Sequence, residues 1–273
     1  MQLNFIDSGK EFDFGRTSQD YAKYRDIYPK SMYDKLISFG IGKENQKILD
    51  LGSGTAVLPV NLYRTGANFT STDISENQIA YGRKIADEKG LNNIDFKVCS
   101  AENTGFEDNS FDVVTAVQCF QYFNAEKASD EIFRILKPQG IFCKIFMDWL
   151  PFEDEVISEM ENTVLKYNPD WSGCGFEKFK YNYPQWAENR FNIDTIHSYD
   201  VTLNFTKEQW LGRVKSCRGV GASLSPQKLK EFEEEYKSIL AKYQDDILNL
   251  KHQIHIEIYR SIKQKKGMKD ERH

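Results

Sequence analysis

The stretch Lys47–Asn61, KILDLGSGTAVLPVN, decides the fold. Ile48, Leu49 and Leu51 form a short apolar run interrupted by Asp50, and Gly52-Ser53-Gly54 follows at once. From Val57 the spacing turns helical: Leu58 and Leu62 lie four apart, and Pro59 is tolerated only near a helix start. This predicts a buried strand, a tight glycine turn and a helix N-terminus, an arrangement suited to a polar ligand. Gly52 and Gly54 permit unusual backbone angles and let a ligand come close to the main chain. A dinucleotide fingerprint needs G-x-G-x-x-G/A; counting from Gly52, its last position is Val57, which departs from it.

A second acid follows at the expected offset. Phe69–Thr72 reads as the next strand, ending at Asp73, 21 residues after Gly52. A ribose-binding carboxylate is expected about 20 residues on, where it accepts hydrogen bonds from both hydroxyls. Ser75 is the better N-cap for the helix that begins near Glu76, which leaves Asp73 for a ligand and Ile74 for the face of a base.

The rest of the chain bounds the class. At 273 residues it can bury a full α/β core with an inserted cap. No apolar run approaches the roughly 20 residues of a membrane span, and the first residues lack the order of a secretory signal. Five scattered cysteines fit reduced thiols in a cytoplasmic protein, with neither a disulfide framework nor a metal site. A net charge of −5 gives no electrostatic case for nucleic acid. DNA amino-methylation needs [D/N/S]-P-P-[Y/F] after the fourth strand, where this chain has AVQCF, and no cysteine follows proline as in base-carbon methylation.

The glycine turn resembles the first motif of class I S-adenosylmethionine-dependent methyltransferases, acid-x-G-x-G-x-G, with Asp50, Gly52 and Gly54 matching and Ala56 in place of the third glycine. Upstream, Tyr21, Tyr24 and Tyr28 are spaced to share one helix face, with Arg25 among them. YAKYRDIYP there is similar to a segment of the small-molecule group that includes trans-aconitate and ubiquinone-biosynthesis methyltransferases. That likeness places Tyr21 and Arg25 near the methionine end of the cofactor; Tyr24 reads equally well as packing. Downstream, CSAENTGF resembles the adenine-bordering g-D-A-E-x-L-P-F, with Ser100 for Asp; it implies roles for Ala101 and Glu102. NSFDVVTAVQCFQYF matches the fourth strand and its turn, placing Gln118 at the methionine moiety and reading Asp112 as structural. Gln121-Tyr122-Phe123 aligns with H-W-F, so the family's histidine is replaced. Leu136–Gly140 resembles the L-K-P-G-G turn before the fifth strand, and the likeness covers about residues 11–148.

The resemblance implies a doubly wound α/β, Rossmann-like sheet of seven strands, mostly parallel with an antiparallel last strand. The expected layout is a helical flap over 1–40, a cofactor-binding core over 41–148 and a cap over 149–190. The rest of the sheet and its helices occupy 191–263, and a tail occupies 264–273. Strand six is expected over Tyr199–Phe205 and the last strand over His252–Ile262, with Ile254, Ile256 and Ile258 on one face and His252 and His255 as bystanders. The implied activity is methyl transfer from S-adenosylmethionine to a small molecule. A non-catalytic cofactor-binding module and a nicotinamide oxidoreductase are the alternatives. Implied cofactor contacts are Tyr21, Arg25, Asp50, Gly52, Ser53, Gly54, Asp73, Ile74, Ala101, Glu102 and Gln118; Tyr21, Gln121 and Tyr122 are the catalytic candidates. Because no motif supplies a general base, the expected acceptor is ionised on its own, an anion held by Arg25 with Arg213 and Arg218, and its turnover varies little with pH.

Overall fold

Alternation along β1, Lys47–Leu51, sends Ile48 into one apolar layer and Leu49 and Leu51 into the other. The computed structural model describes residues 1–264, without the side chain of Tyr21, so the expected tail lies outside the described residues from 265 on. Around β1 the sheet grows both ways. β2 (Asn68–Asp73), β3 (Ile94–Val98), β4 (Phe111–Val117) and β5 (Leu136–Trp149) lie parallel to it, while β6 (Phe191–Thr206) pairs with an antiparallel β7 (Ile247–Ser261). The order is β3-β2-β1-β4-β5-β7-β6, a doubly wound sheet of seven strands whose β7 runs against its neighbours.

Helices cover both faces. On one side α2 (Lys30–Ser38) and α3 (Val57–Leu62) bring Met32, Leu36, Leu58 and Leu62 onto Ile48, Phe69 and Val113, with Ile254, Ile256 and Ile258 continuing the layer. On the other, α5 (Ala125–Ile135) sets Ala128, Ile132 and Ile135 against Leu49, Leu51, Val114 and Phe142. α4 (Glu76–Glu88) starts on Ser75, whose hydroxyl accepts from Gln78 N–H. A third core joins α6 (Glu155–Tyr167), α7 (Lys207–Lys215) and α8 (Pro226–Leu240) around Trp149, Trp210, Phe232 and Tyr236; the Trp210 indole donates to the Tyr236 hydroxyl at 2.7 Å.

Three elements differ from expectation. The first helix, α1 (Ser18–Tyr24), stops before Arg25, so Tyr28 leaves the face it was expected to share; a residue preceding proline resists helical geometry. β5 starts at Leu136 rather than Ile141, because the LKPQG segment pairs with β4 through a register shift, with Gln139 at φ 61°. β6 starts at Phe191, eight residues before the expected Tyr199, as an edge strand with much of its first half exposed. Among the described residues, no helix is long and apolar enough to cross a membrane.

The N-terminal helix sits where α7 has no side chain to offer. A Cβ added at buried Gly212 would lie 2.4–2.6 Å from the Tyr24 ring atoms, and the Tyr24 hydroxyl donates to Glu208 at 3.0 Å. Gly212→Ala should therefore push α1 off α7 and cost about 1–3 kcal/mol, read as a lower urea midpoint. An unchanged midpoint would mean that α1 adds little to the fold.

Candidate active site

The C-terminal ends of β1, β2, β4 and β5 share one edge, the edge where doubly wound sheets bind ligands. A cavity of about 910 Å³ opens there, at the upper end of the ~300–1,000 Å³ range of small-molecule sites.

At its centre is the turn after β1. Gly52 and Gly54 have φ of 58° and 56°, and a Cβ on Gly52 would lie 2.9 Å from that of Cys119. Ala56 also adopts φ 62°, which explains why the motif places glycine at this position. Asp73 closes the turn from β2: its Oδ2 accepts from Gly54 N–H at 3.0 Å and its Oδ1 from Ser75 N–H at 2.9 Å. Burial pushes its carboxyl up, and these backbone donors oppose the rise. A carboxylate has about four acceptor sites, so two N–H bonds leave room for a ligand's hydroxyls. Next to it Ile74 is 61% exposed on the cavity wall, apolar surface without a cover.

Gln118, just past β4, holds the strained φ of 57°. Its N–H donates to Ile145 O at 2.9 Å and its amide to Met147 O, clamping it to β5. Ser100 donates to Glu102, and Glu102 accepts from Asn124 N–H at 2.8 Å, which ties the segment after β3 to the start of α5. Gln121 donates to Gln118 O at 3.1 Å. The Tyr122 ring packs on Phe12 and Phe14 at 5.7 and 5.5 Å; burial raises its phenol, and Arg218 and Arg25 oppose that.

Arg25, Gly52, Gly54, Asp73, Ile74, Ala101, Glu102, Gln118, Gln121 and Tyr122 thus share one wall. Asp50 is buried behind the turn, where the Thr115 hydroxyl donates to it at 2.6 Å. Ser53 joins the turn through its N–H, which donates to Thr72 O at 2.8 Å. The side chain of Tyr21 lies outside the described residues.

Other wall residues come from segments that sequence spacing does not connect. Phe12 and Phe14 precede α1, Trp171 and Phe176 follow α6, and Arg213 and Arg218 lie on and after α7. A buried ion pair and an exposed serine bind these segments. The Arg218 guanidinium pairs with Asp7 at 2.5 Å, and Ser172 donates to Asp7 through N–H and hydroxyl at 2.7 and 2.9 Å. His255, expected as a bystander, also lines the cavity, on the face of β7 opposite Ile254 and Ile256. His252 remains buried, its Nδ1 3.0 Å from Leu250 O.

The family model described as a methyltransferase domain matches residues 42–210. The chain belongs to the methyltransferase family. A methyltransferase-like protein of Schizosaccharomyces pombe is 29% identical over 177 residues, 59% of this chain and 66% of that one. The ubiquinone/menaquinone biosynthesis C-methyltransferase UbiE of Zymomonas mobilis is 35% identical over 106 residues, 38% of this chain and 44% of that one. The structure of YcgJ from Bacillus subtilis shares the fold, with TM-score 0.53 and 16% identity, over 87% of this chain and 100% of that one. With a Gibberella zeae sterol methyltransferase added, the chain spans 40–66% of the length of the first curated relatives. The match supports the resemblance carried by the glycine turn and does not favour the nicotinamide alternative.

The motif's first acid gives the protein a pH-dependent stability. Burial raises Asp50 to about 7, the Thr115 hydroxyl pulls it down, and the Asp73 charge raises it further. An acid raised in the folded state adds stability below its unfolded value near 3.8, and that stability is lost as pH rises through about 7. From pH 5 to 8 Asp50 should remove about 2–3 kcal/mol of stability, a loss absent from Asp50→Asn. Urea titrations of both proteins at the two pH values check this; equal losses would rule out an ionising Asp50.

Proposed function

We propose that this protein transfers a methyl group from S-adenosylmethionine to a small molecule bearing an anionic group. The Asp73 carboxylate beside the open backbone of Gly52–Gly54 carries the cofactor half of this reading. Asp73 keeps acceptor sites for two ribose hydroxyls, exposed Ile74 offers a face to the base, and Ala101 borders it. Gln118 and Arg25 take the methionine end. When bound, the cofactor supplies an electrophilic methyl group on a sulfonium.

The protein's part is to orient and to exclude water. Phe12, Phe14 and Tyr122 wall one side with packed rings, and Trp149 and Trp171 wall another. Arg213 lies over the Trp149 ring at 5.1 Å, buried, which suits an acid group on the acceptor, while Arg218, over the Tyr122 ring at 5.8 Å, is already paired with Asp7. Two guanidinium groups acting on Tyr122 disfavour a further cation against it, so the sulfonium lies nearer Gln118 than that ring.

Calorimetry should show S-adenosylhomocysteine binding and NAD not binding. Asp73→Ala should weaken the former by about 1.5–3 kcal/mol through loss of charge-assisted hydrogen bonds. Equal affinity for NAD would overturn the cofactor assignment, and an unchanged dissociation constant in folded Asp73→Ala would leave Asp73 only a support of the turn.

A further inference from the structure

We propose that Asp148 takes the acceptor's proton, so that the acceptor carries a hydroxyl, amine or thiol in addition to its acid group. This rests on the methyl-transfer reading above and replaces the sequence expectation of an acceptor that needs no base.

Position comes first. Gln118, assigned to the methionine end, is fastened to Ile145 O and Met147 O, the second of these the peptide immediately before Asp148. Strand alternation puts Asp148 on the same face of β5 as Phe146, and both line the cavity. A side chain at this point stands beside the methionine end without being part of the turn that holds the cofactor.

The surroundings leave that carboxylate open. Across β7, Phe146 pairs with His255 and Asp148 with Gln253. The His255 ring is stacked between Phe146 (5.1 Å, 21°) and Phe179 (4.1 Å, 9°), and its Nδ1 lies 3.9 Å from Asp148 Oδ2. Burial, with Lys144 adding to it, lowers this imidazole to about 4; it is therefore neutral at pH 7 and brings no charge to the carboxylate. Gln253 is turned away, accepting from Phe179 N–H at 2.7 Å and donating to Asp200 at 2.9 Å. Asp200 is paired with Lys178, and Lys144 with Glu257. From α7, Arg213 is the cation that acts on Asp148. Burial raises the carboxyl to about 7 and Arg213 limits the rise, whereas Asp73 has backbone donors of its own.

The other polar groups of this wall are unsuited. A glutamine amide at Gln121 has no useful basicity, the Tyr122 phenol is raised by burial, and Glu102 is engaged by Ser100 and Asn124. Burial also raises Cys119 well above its ordinary value, and its thiol donates to Leu51 O at 3.1 Å. In the step itself the acceptor's lone pair bonds to the methyl carbon as the carbon–sulfur pair returns to sulfur. The acceptor's proton passes to an Asp148 carboxylate oxygen and leaves to solvent once product departs.

Carbon-13 carboxyl NMR on aspartate-labelled protein tests the assignment without any acceptor. One resonance, absent from Asp148→Asn, should titrate near pH 7 and move upward when S-adenosylhomocysteine displaces water beside it. A midpoint below about 5, or no response to that ligand, overturns the proposal. With the best acceptor found among hydroxy-, amino- and mercapto-carboxylic acids, kcat should rise through about pH 7. In Asp148→Asn it should fall roughly 100-fold or more and lose that rise, with S-adenosylhomocysteine affinity kept within about three-fold. A variant that keeps its kcat and pH profile overturns it as well. Wild-type protein that does not bind S-adenosylhomocysteine marks a failure of the cofactor reading; binding with an indifferent Asp148 marks a failure of this inference alone.

Discussion

The hydrogen bond from Gly54 N–H to Asp73 ties the ends of two adjacent parallel strands. Everything at the cavity edge depends on that tie. Glycine is needed at positions 52 and 54 because the backbone must turn left-handed there, and at 52 because Cys119 leaves no space for a Cβ. Removing water from Asp73 is unfavourable, and backbone N–H groups compensate only in part. A ligand that brings further donors to this carboxylate completes the compensation, which is why an acid at a strand end makes a binding site.

Around this centre the wall is assembled from segments far apart in sequence. Exposed Ser172 joins the buried Asp7–Arg218 pair, so residues before α1, the segment after α6 and the loop after α7 are held together at the cavity. Taking away either Asp7 or Arg218 leaves a buried charge without its partner, a loss of about 3–5 kcal/mol in comparable cases. The α6–α8 core backs this lid with its own apolar packing, and Glu161 fixes both sides by accepting from the Trp149 indole at 2.7 Å and from Gly175 N–H at 2.8 Å.

Where one strand and its turn carry the information, the sequence was readable. β1 is a short apolar run closed by Gly52 and β2 a short run closed by Asp73, and their bounds follow within about two residues. The extension of β5 was hidden because Pro138 and Gly140 read as a turn, although a bulge accommodates both. The isoleucine alternation of β7 fixed which side faces the core, but no local pattern says that Phe146 and Phe179 enclose His255 on the other. Asp148 carried one usable signal, its place at the C-terminal end of a strand in a doubly wound sheet. Arg218 was read only as an anion contact, and the meeting of Asp7, Ser172 and Arg218 carried no signal, since it depends on three loops closing together.

Hydrogen exchange measured with and without S-adenosylhomocysteine tests the central claim most directly: that residues near the N-terminus and after α6 form one closed site with the glycine turn. Protection should appear in the turn, at the end of β2, in residues 11–28 and in residues 168–176. Protection confined to the turn and β2 would show that the aromatic walls and their arginines are scaffold, and would contradict the account.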